Sequence, residues 1–172
     1  MGTALLLHPV PLLPDLNLHW CVFYSKKQDD FLFLNKMNSF PPTYHSPNKE
    51  YKIDFILEGE VRFGPAYFTI KLNGELVQNR IFGYAFRWHP DSTFLALQEW
   101  KTSDYRSGPY TILTIIDLQN KKLARIAEAD KGFIQPIRFE KNNLTFEKAF
   151  IGKGTKLKDE IDLNSVGNWE AL

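Results

Sequence analysis

Hydrophobic positions in this chain fall into short runs that alternate with polar ones and are cut at close intervals by Pro, Gly, Asn and Ser. That pattern predicts strands joined by turns. Leu18 to Tyr24 is aromatic and β-branched, Ser25 to Asp30 interrupts it, and Phe31 to Leu34 resumes, which reads as a hairpin. Asn38 to Asn48 holds three prolines and must be a loop, because Pro removes ladder donors and pushes the residue before it out of the helical region. Tyr51 to Leu57 and Tyr67 to Leu72 alternate as strands. Asn73-Gly74 follows, a pair that tolerates the positive φ of a type I′ turn and so predicts a hairpin to Leu76 to Asn79. Phe82 to Trp88, Phe94 to Trp100, Tyr110 to Leu118, Lys121 to Ile126, Phe133 to Phe139 and Leu144 to Phe150 complete the strands. Only Ala124 to Lys131 has helical character, and it is too short and uncapped to change the class.

The runs repeat. His45-Ser46-Pro47 returns as His89-Pro90-Asp91, and Gly64-Pro65-Ala66-Tyr67 as Gly108-Pro109-Tyr110, each 44 positions on. Gln119-Asn120 then stands where the first copy has Asn73-Gly74. The copies run from about Asn48 to Trp88 and from Ser92 to Phe139, leaving one C-terminal and two N-terminal strands to share a third sheet. Trp88-His89-Pro90-Asp91-Ser92-Thr93-Phe94-Leu95-Ala96-Leu97 resembles the opening of a blade in WD40-like and TolB-like propellers. Ile115-Ile116-Asp117-Leu118 with Gln119-Asn120-Lys121 is similar to the hairpin later in such a blade. His89 and Ser92 depart from the serine and glycine of that pattern, and propellers typically have about four to eight blades where this chain accommodates about three. The resemblance implies an all-β, antiparallel domain of blade-like repeats of 44 residues, forming a small propeller-like domain, a curved sandwich, or a ring completed by an oligomer.

Composition narrows the rest. A chain of 172 residues is one domain in size, expected here as an extended arm over 1–17, a β domain over 18–150 and a solvated tail over 151–172. The tail carries Lys153, Lys156 and Lys158 followed at once by Asp159, Glu160 and Asp162. Aromatic residues reach 15%, which suits strands, where flat rings pack against cross-strand neighbours. A net charge of +1 supplies no broad field for phosphate backbones or anionic membranes, so no nucleic-acid and no membrane partner is expected. The proline-cut N-terminus has no basic region and reads as neither signal nor anchor. The single cysteine, Cys21, forms no intramolecular disulfide, which points to a reducing, cytoplasmic setting.

Candidate chemistry is sparse. His8, His19, His45 and His89 show no ligand spacing, Cys21 sits inside an apolar strand, and no serine elbow is present, so neither a metal, a cofactor nor a catalytic set is expected. Gly152-Lys153-Gly154-Thr155-Lys156 lacks the spacing of a phosphate loop and reads as a turn. The second-copy loop is longer than a hairpin needs and mixes Trp100, Asp104, Tyr105 and Arg106, residue types that dominate binding hot spots. Its first-copy counterpart carries Glu58, Glu60 and Arg62. Blade equivalence would set both loops on one rim, although Trp100 could instead pack inward. The expectation is a non-catalytic protein-binding module, such as a small cytosolic inhibitor or immunity protein that neutralises a toxin or enzyme. A small hydrolase, or a carbohydrate or small-ligand binder, using the same rim loops is the alternative. Alanine at Trp100, Tyr105 and Arg106 is expected to abolish binding without unfolding the chain.

Overall fold

The computed structural model describes residues 43–61, 64–152 and 154–172. The expected hairpin over 18–34, Cys21, His8, His19, Arg62, Lys153 and the arm over 1–17 lie outside the described residues. Twelve strands follow in chain order: β1 (Thr43–His45), β2 (Lys52–Glu60), β3 (Ala66–Leu72), β4 (Glu75–Leu76), β5 (Ile81–Trp88), β6 (Phe94–Trp100), β7 (Tyr110–Asp117), β8 (Lys122–Asp130), β9 (Gly132–Glu140), β10 (Asn143–Phe150), β11 (Thr155–Asp162) and β12 (Glu170–Ala171). One turn of 3-10 helix, Leu163–Ser165, joins the last two. Among the described residues no helix is long and apolar enough to cross a membrane.

All twelve strands belong to one sheet, ordered β1-β2-β3-β5-β6-β7-β9-β10-β11, with β4 beside β3, β8 beside β7, and β12 beside β8. The pairing is antiparallel except between β7 and β9, which meet in parallel only at Tyr110 and Gly132. The all-β expectation therefore holds, but among the described residues the sheet is mixed and does not close into a ring.

Neither face of β6 and β7 meets water, which is why β7 reads as a run rich in Ile and Thr and why Gln98 and Glu99 of β6 are buried. The period of two sends Leu95, Leu97 and Ile116 into one core with Phe55, Phe68, Ile70 and Phe82. Ala96, Leu113 and Ile115 face a second core with Ile134, Phe139, Leu144 and Phe146 of the β9–β10 hairpin. Polar stitches fix that hairpin. Gln98 Nε2 donates to the Ile134 carbonyl at 2.6 Å, and Thr111 Oγ1 accepts from Ile134 N–H at 2.8 Å while donating to the Gly132 carbonyl at 3.0 Å.

Two turns share a backbone pattern. Ser46 N–H donates to Tyr51 at 2.9 Å and Lys49 N–H to Ser46 at 2.9 Å; His89 N–H donates to Phe94 at 2.8 Å and Ser92 N–H to His89 at 2.9 Å. Lys49 (φ 63) and Ser92 (φ 66) adopt the same left-handed conformation. The counterpart of His89 is thus Ser46, one position on from the His45 expected from the text of the repeat. His45 is exposed, whereas His89 is buried with Nε2 2.8 Å from the Lys141 carbonyl and Nδ1 against the Asp91 carboxylate. The two turns touch, Asn48 N–H donating to Ser92 Oγ at 3.1 Å. Asn73 (φ 51) and Gly74 (φ 90) make the expected hairpin turn.

Three segments differ from expectation. The return strand expected over Leu76 to Asn79 shrinks to β4, Glu75–Leu76, because the chain turns at once, with Asn79 at φ 56. Ala124 to Asp130 is extended within β8 and Lys131 turns at φ 55, because full-length pairing with β7 and burial of Ala124 and Ala129 outweigh a weak helical preference. The C-terminal stretch expected as a tail contributes β11, paired with β10 over eight residues from Asn143↔Asp162 to Phe150↔Thr155, and β12. Exposure of both faces of β11 removes the apolar alternation that would have announced it.

Candidate functional site

The β2–β3 and β6–β7 hairpins end on a shared concavity of about 400 Å³, lined by Glu60, Val61, Tyr67, Ser103, Asp104, Tyr105 and Arg106. On the first hairpin the ladder slips between Leu57 and Gly59. The slip lets Tyr67 lie across Gly59, where any Cβ would stand 2.6 Å from the Tyr67 hydroxyl. The connection is closed by Gly64 N–H donating to Val61 at 2.8 Å.

The second loop organises itself. Asp104 N–H donates to Thr102 Oγ1 at 3.0 Å, and Arg106 N–H to Asp104 Oδ1 at 3.1 Å, a side-chain turn typical of Asp. The Arg106 guanidinium then grips the same carboxylate through Nε to Oδ1 at 3.0 Å and Nη2 to Oδ2 at 2.6 Å. Those hydrogen bonds hold the Asp104 carboxyl at about 2 and raise Arg106. Gly108, at φ 94, lets the chain re-enter β7. Burial pushes the Tyr105 phenol up. Its ring lies 6.1 Å from Trp100, which in turn meets Phe133 edge-on at 5.7 Å.

Of the residues expected to bind, Glu60, Asp104, Tyr105 and Arg106 are brought together. Glu58 is exposed nearby, and its Oε1 accepts from Thr69 Oγ1 at 2.7 Å. Trp100 is only 2% exposed and supports the loop from beneath; its position at the end of β6 points it into the packed face. Alanine there would remove core, so the expectation that the chain tolerates that change does not stand. Sequence reasoning missed Val61, Tyr67 and Ser103; Gly59 opposite an aromatic was the available signal for Tyr67.

A second polar cluster lies apart from this rim. Glu99 is 1% exposed and accepts from Arg80 Nη1 at 2.9 and 3.1 Å, from Thr114 Oγ1 at 2.6 Å and from Arg125. Arg80 also donates to Glu170 at 2.6 Å, tying β12 to the group. Burial raises the Glu99 carboxyl, and the Arg125 and Thr114 hydrogen bonds with the charges of Arg80 and Arg125 outweigh it, leaving it below its ordinary value. With the Glu99 carboxylate buried and its acceptors filled, this cluster is a clasp across β6, β7 and β8. Among the described residues no three His, Cys, Asp or Glu side chains gather to hold a metal ion.

Compared with protein-family models, curated proteins and solved structures, the chain matches none.

Proposed function

We propose that this chain is a non-catalytic protein-binding module that docks its partner on the rim formed by the β2–β3 and β6–β7 loops. A small cytoplasmic inhibitor, or an immunity-type protein that neutralises a toxin or enzyme, would work in this way. The observation that carries the reading is the meeting of Glu60 with Asp104, Tyr105 and Arg106 around one open concavity, although the loops are far apart in sequence. The Arg106–Asp104 fork and the Tyr105–Trp100 contact order the loop before any partner arrives, which lowers the entropic cost of binding. Tyr105 and Arg106 are residue types that anchor interfaces, and Glu60 offers a carboxylate for a basic group on the partner. The matched turns at Ser46 and His89 support descent from blade-like repeats.

The test is capture from native lysate with the wild-type chain and with Tyr105→Ala/Arg106→Glu, followed by reconstitution with the purified partner. Trp100 is left intact because it is core. Loss of a stoichiometric partner by the folded variant is the expected result. Equal affinity of the two chains would remove this rim from the reading. Binding of glycans or small ligands, with no protein captured, would favour the alternative.

A further inference from the structure

We propose that the concavity between the two rim loops takes an arginine side chain of the partner, its guanidinium paired with the Glu60 carboxylate beside Tyr67 and Tyr105. The proposal rests on the reading of this rim as the docking surface, and it names the chemistry that the docking uses.

Charge selects a cation. Among the described residues three charged side chains line the concavity, Glu60, Asp104 and Arg106. Arg106 closes on Asp104 with Nε at 3.0 Å from Oδ1 and Nη2 at 2.6 Å from Oδ2, and its backbone N–H donates to Oδ1 at 3.1 Å. Both Asp104 oxygens are therefore engaged within the loop, and the two charges cancel. Glu60 is left over. Among the described residues its carboxylate has neither an ion pair nor a hydrogen bond, so the described lining carries one uncompensated negative charge. A basic group is drawn to such a site and an acidic one repelled.

Hydrogen-bonding capacity favours arginine over lysine. Beside the two Glu60 oxygens, the lining presents the hydroxyls of Tyr67, Tyr105 and Ser103, none of which has a hydrogen-bond partner among the described residues. A guanidinium brings five N–H donors in a fixed plane and no acceptor, whereas an ammonium brings three from one point. Two of the five can take both Glu60 oxygens as a fork, and three remain for the hydroxyls.

The aromatic walls are set in advance. Tyr67 lies across Gly59, where a Cβ would stand 2.6 Å from its hydroxyl, and the Tyr105 ring lies 6.1 Å from that of the buried Trp100. A planar, weakly hydrated guanidinium packs on such rings more readily than a compact, strongly hydrated ammonium. The volume of about 400 Å³ is near the small end of ligand sites, which suits one long side chain and its flanking backbone.

Amide NMR of the isotope-labelled full chain, titrated with N-acetyl-arginine methylamide and with its lysine and citrulline counterparts, tests the proposal. Citrulline keeps the shape of arginine and removes the charge. The arginine probe is expected to shift the amides of Glu60, Val61 and Ser103 to Arg106 with millimolar affinity, and the citrulline probe to bind about tenfold more weakly. The lysine probe falls between them. Glu60 is exposed, so Glu60→Gln keeps the fold, and it is expected to weaken the arginine probe about tenfold. No shift at these amides, lysine or citrulline binding as tightly as arginine, or unchanged arginine binding by Glu60→Gln would each overturn the proposal. Its failure is separable from that of the rim reading. A captured protein that Glu60→Gln retains and Tyr105→Ala/Arg106→Glu loses would keep the rim and remove the arginine site; arginine binding with no protein captured would keep the site and remove the protein partner.

Discussion

Replacing Glu99 with alanine strands two guanidinium groups, and the structure sets the scale of the loss. The carboxylate is 1% exposed and holds Arg80, Arg125 and Thr114, which arrive from the loop before β5, from β8 and from β7. Removing one partner of a buried ion pair costs about 3–5 kcal/mol, because the remaining charge stays desolvated. Arg80, with 13% of its side chain exposed, feels that in full, apart from its contact with Glu170. Arg125 is 46% exposed and can turn to water, which places the expected cost near the lower end, about 3 kcal/mol. Urea unfolding followed by Trp fluorescence reads it as a lower midpoint at unchanged slope. Glu99→Gln separates charge from shape. The folded carboxyl lies below its ordinary 4.5, so its contribution is complete above that value and is lost as pH falls through the folded value. The gap between wild type and Glu99→Gln should therefore be widest near neutral pH and narrow only below 4.5. A cost under about 1 kcal/mol for Glu99→Ala, the scale of an exposed pair, would refute the assignment of a buried clasp.

Three further outcomes are expected. Thr111→Val leaves the Ile134 N–H and Gly132 carbonyl without their partner, costing about 2 kcal/mol; hydrogen exchange should quicken at Ile134 before it does in β6, and unchanged exchange would contradict the stitch. Trp100→Ala should cost about 3–5 kcal/mol in thermal or urea unfolding, whereas Trp100→Phe should stay within about 1 kcal/mol. Phenylalanine keeps the aromatic contact and removes a buried indole N–H that finds no acceptor among the described residues; equal costs for the two variants would argue against this balance. An NMR titration should place Asp104 at about 2, and Arg106→Ala should return it toward 3.8; a carboxyl that stays low without Arg106 would mean another group holds it.

The strand-and-turn character of the chain was legible because its signals are local. Asn73-Gly74 marks its turn through the conformations those residues tolerate, and Phe94 to Trp100 marks a strand that water reaches on neither face. The two loops holding Glu60 and Arg106 were also readable as loops, since each ends in Gly-Pro before a strand. Other features left no such trace. β11 is exposed on both faces, so its side chains carry no alternation, and its existence depends on the β10 edge beside it. Glu99 reads as a polar residue near a loop until Arg80 and Arg125, 19 and 26 positions away, close on it. From sequence Trp100 suited either a binding rim or the packed interior, and only packing against Phe133 under Tyr105 decided for the interior. Backbone conformation and side-chain period are set over a few neighbouring residues, and these the sequence determined alone. Which faces are covered, which charges meet and which edges stay open depend on strands far apart in the chain, and the tertiary structure decided them.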